Sequence, residues 1–182
     1  MALYEISLDY NVVDVAFSTS GANIAVLTTS GFALYTWELR GSALEPKFGF
    51  FHSFSQPTER ARQIAFLDED DVYVLKQNEF GQDKIDRINV STKEENTVFV
   101  PEMFDCISSI FSDLRQSTLW IAMNAHNSKA RSYFYISNES PESPSVIPWA
   151  DSPTNDTCWA NVIKLKDGNV SYPFQAKFDV LY

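Results

Sequence analysis

The sequence predicts an all-β protein, and more specifically a segment of a β-propeller with about three to four four-stranded blades. Short apolar runs alternate along the chain with turns rich in Ser, Thr, Gly and Asp, a pattern typical of antiparallel strands joined by tight hairpins. Apolar runs with a Phe near their end recur at Phe17, Phe66 and Phe111. The intervals of 49 and 45 residues are close to the roughly 40 to 45 residues of a four-stranded blade.

A third observation is that several runs have no polar side. Residues 24–27 read Ile-Ala-Val-Leu, and residues 119–123 read Leu-Trp-Ile-Ala-Met. In a propeller each sheet packs between two neighbours, whereas the strands of a sandwich are apolar mainly on one side. This favours the propeller, and a β-sandwich is the alternative.

The first blade is predicted at residues 12–54. Apolar runs at 12–17, 24–27 and 32–39 are separated by two turns that contain Gly21 and Gly31, and glycine takes the positive φ that tight hairpins need. This pattern predicts a three-strand meander. A loop at 40–46 then leads to a fourth, aromatic strand at 47–54, and an alternating stretch at 3–9 predicts a strand that precedes the meander.

Three further blades follow in one propeller segment that spans residues 1–182. A polar connection at 56–62 leads to the second blade at 63–101, with strands at 63–67, 72–76, 85–90 and 97–100. The third blade, 106–149, has strands at 106–111, 118–124, 131–137 and 146–149, and a Ser- and Pro-rich loop at 138–145. A fourth, incomplete blade is predicted at 158–182, with a hairpin signal at Asp167 and Gly168.

Composition restricts the class of partner. The chain has 182 residues, 45% of them hydrophobic, which suits one compact domain or a large part of one. A formal charge of -10 argues against a free-standing nucleic-acid binder, because such proteins present clustered Lys and Arg to phosphates. No apolar run reaches the roughly 18 residues of a membrane span, and the N-terminal residues lack the basic start of a signal peptide. We therefore expect a cytosolic protein without a membrane partner.

We predict no catalytic, cofactor-binding or metal-ligating residue in this sequence. The acidic run at 68–71 is interpreted as a solvated hairpin tip, because Tyr73 stands where a calcium loop requires Gly. The only imidazoles, His52 and His126, have no ligand at metal-site spacing. There is no Gly-x-Ser-x-Gly elbow and no Gly-rich phosphate loop. The two cysteines form no Cys-x-x-Cys motif and are expected to be buried thiols; they are Cys106 and Cys158.

Two groups of side chains remain to be placed. Five basic residues lie in or near the second blade, where we expect a solvated surface that binds transfer RNA weakly or not at all: Arg60, Arg62, Lys76, Lys84 and Arg87. Most aromatic residues are expected in the core, and any that emerge at a blade rim are candidates for subunit contacts: Phe48, Phe50, Phe51, Phe54, Trp120, Tyr133, Phe134 and Tyr135.

The order of residues 1–39 carries a family resemblance. MALYEISLDYNVVDVAFSTSGANIAVLTTSGFALYTWEL, followed at 62–75 by RQIAFLDEDDVYVL, resembles the N-terminal propeller region of the largest subunit of the Elongator complex. In that family an entry strand like residues 1–6 leads into a blade like residues 13–17, and later into an acidic hairpin. Trp37 and Glu38 stand where a typical WD40 blade has Trp-Asp, which implies WD40-like blades in a degenerate form.

This resemblance implies a non-catalytic scaffold. The family's subunit organises a complex that modifies the wobble uridine of transfer RNA, with the acetyl-transfer chemistry in a different subunit. The implied partners are the other Elongator subunits, and transfer RNA is reached through the assembled complex rather than through this segment. The implied location is cytoplasmic, with the nucleus as a second compartment. The family has two propellers and a helical C-terminal region, so the resemblance also implies a fragment of a larger propeller, with Met1 as an internal methionine.

Two alternatives stay open. One is a secreted or cytosolic all-β module that binds sugar or protein, and the other is a propeller hydrolase with a site built from loops. Glycosylation would favour the secreted module, and four Asn-x-Ser/Thr triplets begin at Asn89, Asn138, Asn155 and Asn169. A signal peptide upstream would favour the same alternative, while helical repeats in the full gene would favour the scaffold.

Overall fold

A computed structural model of the chain describes residues 11–40, 43–101, 105–113, 118–124, 131–137, 140–147, 163–164 and 170–171. Every element in these ranges is a strand, and the strands form three four-stranded sheets and one two-stranded sheet. The prediction of an all-β propeller segment is confirmed. Within the described ranges there is no helix with the length and hydropathy of a membrane span. The predicted strand at 3–9 lies outside the described residues.

The first sheet has the order β1-β2-β3-β4, and each pair of neighbours is antiparallel. Its strands are β1 (Val12–Phe17), β2 (Asn23–Thr28), β3 (Gly31–Arg40) and β4 (Ala43–Ser53). Gly21 adopts a φ of 74° and its N–H donates to the Ser18 carbonyl at 2.9 Å, as predicted for a tight turn. The prediction of a positive φ is wrong for Gly31, whose φ is not positive. A Cβ at Gly31 would lie 2.1 Å from the His52 carbonyl oxygen, so close approach of two strands requires glycine there.

The second and third sheets repeat this meander. The second consists of β5 (Arg60–Phe66), β6 (Asp71–Gln77), β7 (Asp83–Asn89) and β8 (Glu95–Phe99). The third consists of β9 (Cys106–Asp113), β10 (Thr118–Asn124), β11 (Arg131–Ser137) and β12 (Ser140–Ile147). In the region predicted as a fourth blade, β13 (Ile163–Lys164) pairs antiparallel with β14 (Val170–Ser171). The first strands of the sheets are in contact in succession, β1 with β5 and β5 with β9.

A β-bulge recurs near the start of each of these first strands. The pairing registers leave Val13 in β1, Arg62 in β5 and Ser108 in β9 without a direct partner. In the first two sheets, the residue after the bulge accepts a hydrogen bond from the next sheet. The Ile64 N–H donates to Asp14 Oδ2 at 3.0 Å, and the Ile110 N–H donates to Gln63 Oε1 at 2.8 Å. Each bond satisfies a buried backbone donor at the edge of its sheet, and together the bonds fix the stacking of the sheets.

Two apolar layers fill the spaces between the three sheets. Strand β6 contributes to both, because its side chains alternate between its faces. Val72 and Val74 pack in one layer with Phe32 and Phe66, against the first sheet. Tyr73 and Leu75 pack in the other layer against the third sheet. The second sheet is therefore covered on both faces, so the side chains of β6 are buried whichever way they point.

Four expectations about the positions of strands and loops differ from the structure. Most of the predicted loop at 40–46 is strand, because β3 and β4 pair as far as Arg40 with Ala43. The predicted connection at 56–62 ends early, because β5 begins at Arg60. The predicted loop at 138–145 is largely β12, an edge strand that tolerates proline since one of its sides needs no ladder hydrogen bonds. Counted from the bulge residue of each first strand, Ala16 and Ala65 are the structural equivalents of Phe111. Phe17 and Phe66 lie one residue further along, so the three Phe residues of the predicted repeat are not equivalent.

Candidate functional site

The β3–β4 hairpin extends beyond the rest of the first sheet. Strand β2 pairs with β3 only up to Thr36, which lies opposite Asn23. Past that point β3 pairs with β4 alone, through Trp37 with Pro46 and Leu39 with Leu44, to the end of the hairpin. We call residues 37–40 and 43–46 the β3–β4 ribbon. A two-stranded ribbon has little stability of its own, and the Trp37 indole N–H, which donates to the Gly21 carbonyl at 2.9 Å, ties its base to the β1–β2 turn.

The β3–β4 ribbon has one apolar face. Directly opposed residues share a face of a β-ladder, so Trp37, Leu39, Leu44 and Pro46 lie on the same side. Leu39 is 68% exposed and Leu44 is 49% exposed, and Phe48 continues the same row. Glu38 lies on the other face, where its carboxylate binds the Lys47 ammonium at 2.9 Å. Exposed apolar side chains in one row on a projecting element are typical of a surface that contacts another protein.

A buried cluster of charged side chains joins the first two sheets at their outer strands. It contains three carboxylates, two ammonium groups and one imidazole: Glu59, Asp86, Glu95, Lys76, Lys84 and His52. Lys76 has no exposed side-chain surface, and its ammonium lies 2.9 Å from Asp86 Oδ2 and 3.9 Å from the Phe54 ring centroid. Glu95 pairs with Lys76 and also accepts the Ser55 N–H at 3.2 Å. We call this set the inter-sheet ion cluster.

His52 belongs to the inter-sheet ion cluster. Its Nε2 lies 3.3 Å from Glu95 Oε2, and its ring stacks on Phe32 with centroids 5.3 Å apart. Glu95 comes from the second sheet, so this contact could not be read from local spacing. His126 lies outside the described residues. Across the described ranges, no group of three or more His, Cys, Asp or Glu residues could hold a metal ion.

The cluster also sets the protonation state of Glu95. Burial of the carboxyl raises its pKa, but hydrogen bonds from His52 and Lys76 and the Lys76 charge outweigh burial. The pKa of Glu95 therefore lies well below its ordinary value of 4.5. Lys84 behaves in the complementary way: burial lowers its pKa, while hydrogen bonds to Glu59 and Asp86 leave it raised overall. Both groups are thus held in their charged forms.

Acid should weaken the contact between the two sheets. Because the pKa of Glu95 is lower in the folded chain than its ordinary value of 4.5, Glu95 contributes stability above that pH. This contribution is lost as pH falls from about 4.5 towards the folded pKa. We expect the urea midpoint to fall steeply on acidification, and the Glu95→Gln variant to be less stable at neutral pH with a shallower acid limb. Parallel acid limbs for the two proteins would contradict this role of Glu95.

The acidic run at 68–71 is more ordered than the predicted solvated tip. Asp68 Oδ1 accepts the Asp70 and Asp71 N–H groups at 2.8 and 2.7 Å, and so closes the turn. Asp71 is buried and binds Arg87 Nη2 at 2.6 Å. Glu69 accepts the Ser20 N–H at 2.5 Å and thereby joins the turns of two sheets. The prediction of a solvated tip is therefore wrong for Asp71, which is buried, and right for Asp70, which is exposed; Asp68 and Glu69 are partly exposed.

The predicted basic surface is also largely wrong. Lys76 and Lys84 belong to the inter-sheet ion cluster, and Arg87 binds Asp71. Arg62 Nη1 binds the buried Asp83 carboxylate at 2.9 Å. Arg60 and Arg62 are exposed, and of the five residues only Arg60 makes no ion pair with any described residue. A strand that alternates between two packed faces buries its charged residues too, and carboxylates from neighbouring strands compensate them.

The cysteine and aromatic expectations have mixed outcomes. Cys106 is exposed rather than buried, because it begins β9, and Cys158 lies outside the described residues. Phe54 and Trp120 are buried as expected, while Phe48 is 52% exposed and Phe50 and Phe51 are partly buried. The side chains of Tyr133, Phe134 and Tyr135 lie outside the described residues. Of the Asn-x-Ser/Thr triplets only Asn89 is described, and its amide binds Asp71 at 3.1 Å.

The described strands define the class of protein. Three four-stranded meanders, stacked through their first strands and joined by side-chain contacts between sheets, form a β-propeller segment. Residues 1–165 match the family model of the ELP1 N-terminal second beta-propeller, and the chain belongs to that family. The match identifies a propeller segment of the Elongator ELP1 family, and the propeller of that family is a scaffold-type domain. No match to the chain was found among curated proteins.

Proposed function

We propose that the chain acts as a non-catalytic scaffold segment that holds other Elongator subunits, in support of wobble-uridine modification of transfer RNA. The observation that carries this proposal is the exposed apolar face of the β3–β4 ribbon in a member of the ELP1 propeller family. Transfer RNA is reached through the assembled complex, since the chain carries a formal charge of -10. The proposed location is cytoplasmic, with the nucleus as a second compartment.

The occupant of the apolar face is another subunit of the same complex. Leu39 and Leu44 form a cross-strand pair at the outer part of the ribbon, and Phe48 extends the row towards the sheet. An apolar row of this kind is typical of the core of a protein interface. The opposite face of the ribbon is polar and carries the Glu38–Lys47 ion pair. Because the ribbon projects from the sheet, a partner can bind it without disturbing the packing between the sheets.

Removal of the apolar row should release the partner. The double variant Leu39→Ser and Leu44→Ser should reduce the recovery of other Elongator subunits, co-purified with the tagged protein, by about tenfold or more. The reason is that truncating a hot-spot residue at the centre of an interface costs about 2 kcal/mol or more. The level of modified wobble uridine in transfer RNA should fall in parallel. Both quantities are measurable by mass spectrometry.

The matched control is Phe80→Ser. Phe80 is 87% exposed at the β6–β7 turn, so the substitution removes an exposed apolar side chain outside the ribbon. The control should retain the subunits and the modified uridine. Full recovery of all subunits by the Leu39 and Leu44 double variant would show that the ribbon is not the docking element. Catalytic activity of the purified chain alone on a transfer RNA substrate would contradict the scaffold role itself.

A further inference from the structure

A cleft of about 450 Å³ lies between the first and second sheets, at the end where β1 and β5 begin. This volume is within the range of about 300 to 1,000 Å³ that is usual for ligand sites. The β3–β4 ribbon leaves the first sheet at the opposite end of β3, so the cleft is separate from the proposed docking element. Its lining consists of Val13, Thr29, Arg60, Ala61, Arg62 and Gln77.

The cleft is shaped by the two β-bulges. Val13 and Arg62 are the unpaired residues of β1 and β5, and both line it. Arg60, Ala61 and Arg62 all line the cleft, and Arg62 is the bulge residue of this stretch of β5. Bulges commonly redirect side chains next to functional sites.

The two arginines differ in how they are held. Arg62 is fixed by Asp83, whose side chain has no exposed surface and also accepts the Ile107 N–H at 2.8 Å and the Gln77 amide at 3.1 Å. The contact to Asp83 uses Nη1 at 2.9 Å, and a guanidinium has further N–H donors to offer. Arg60 is exposed and binds no described carboxylate. With Asp83 offsetting one arginine, the described residues of the cleft leave one positive charge uncompensated, on a chain whose formal charge is -10.

We propose that this cleft binds the carboxylate of an acidic peptide segment, an Asp or Glu side chain presented by another protein. Arg60 supplies the bidentate contact to the carboxylate, because a guanidinium presents two parallel N–H donors to both oxygens. The prepositioned Arg62 and the Thr29 hydroxyl supply further donors, and Val13 and Ala61 form apolar walls for the side-chain methylenes. One uncompensated charge suits one carboxylate. The several closely spaced charges of a polyphosphate backbone would exceed what this one arginine can compensate.

The test is an NMR titration of the ¹⁵N-labelled chain with two matched peptides that differ only in a central Glu or Gln. We expect the Glu peptide to shift the Arg60 and Arg62 side-chain resonances saturably, and the Gln peptide to leave them unchanged. Arg60→Gln should weaken binding about tenfold, because charge-assisted hydrogen bonds are lost. This variant keeps the fold, since Arg60 is exposed and forms no ion pair with a described residue. Lys47→Gln removes one positive charge from the exposed surface and should bind the Glu peptide as the parent chain does.

Three results would overturn the proposal. Equal binding of the Glu and Gln peptides would show that no carboxylate is recognised, and unchanged binding by Arg60→Gln would show that the cleft is not the site. Tighter binding of an oligouridylate RNA than of the Glu peptide, with the same dependence on Arg60, would assign the cleft to nucleic acid instead. Displacement of the Glu peptide by acetate, but not by equal chloride, would support carboxylate recognition. The titration needs no Elongator subunit, so its failure would leave the scaffold proposal untouched.

Discussion

The Lys76→Met variant is expected to lose about 3 to 5 kcal/mol of unfolding free energy, because breaking a buried ion pair leaves its partner uncompensated. Lys76 has no exposed side-chain surface and serves Glu95 and Asp86 together. Without it, Glu59 and Asp86 would keep the ammonium of Lys84, but Glu95 would keep only the His52 ring and the Ser55 N–H. Methionine restores most of the volume but none of the charge. Urea unfolding at neutral pH measures the loss.

Lys47→Met is the matched control for this variant. Lys47 is likewise a lysine in an ion pair, with Glu38, but its side chain is 54% exposed. Because exposed pairs contribute about 0 to 1 kcal/mol, Lys47→Met should lose little stability. The deficit of Lys76→Met should also shrink as pH falls below about 4.5, because protonation of Glu95 then removes the uncompensated charge. A Lys76→Met loss no larger than that of Lys47→Met, or one that does not change with pH, would contradict the importance of the inter-sheet ion cluster.

The inter-sheet ion cluster illustrates what the sequence could and could not predict. On β6, Lys76 follows Val72 and Val74 at a spacing of two, and all three lie on the face that packs against the first sheet. Alternation alone could therefore have placed Lys76 on a buried face, and Asp86 lies opposite Val74 in the ladder. The prediction of a solvated basic surface gave more weight to residue type than to strand position. The partnership of His52 with Glu95 links two sheets across 43 residues, and no local signal indicates it.

The strands themselves were more predictable than their ends. Turns at Gly21 and at Asp68 have local chemistry, so the strands around them follow from the sequence. The projection of the β3–β4 ribbon does not, because it depends on where β2 stops pairing with β3, and residues 40–46 contain Gly and Pro that are typical of a loop. The bulges at Val13 and Arg62 are likewise set by registers between strands, so the cleft that they line could not be foreseen.

Phe66→Ala is expected to lose about 3 to 5 kcal/mol, the cost usual for truncating a buried Phe in a well-packed core. Phe66 has no exposed surface and packs in the apolar layer between the first and second sheets, with Phe32 and Val72. Because that layer and the inter-sheet ion cluster hold the same two sheets together, the cavity should weaken the whole contact between them. Urea unfolding followed by tryptophan fluorescence measures the loss.

The second sheet supplies the control, Phe80→Ala, which removes the same atoms from a side chain that is 87% exposed. Phe80→Ala should change the unfolding free energy by less than about 0.5 kcal/mol, as surface substitutions usually do. Combined with Lys76→Met, Phe66→Ala should give less than the sum of the two losses, because both act on one interface and each variant already loosens it. Strict additivity of the two losses would mean that the apolar layer and the ion cluster stabilise the sheets independently. Similar losses for Phe66→Ala and Phe80→Ala would contradict the packing of Phe66 between the sheets.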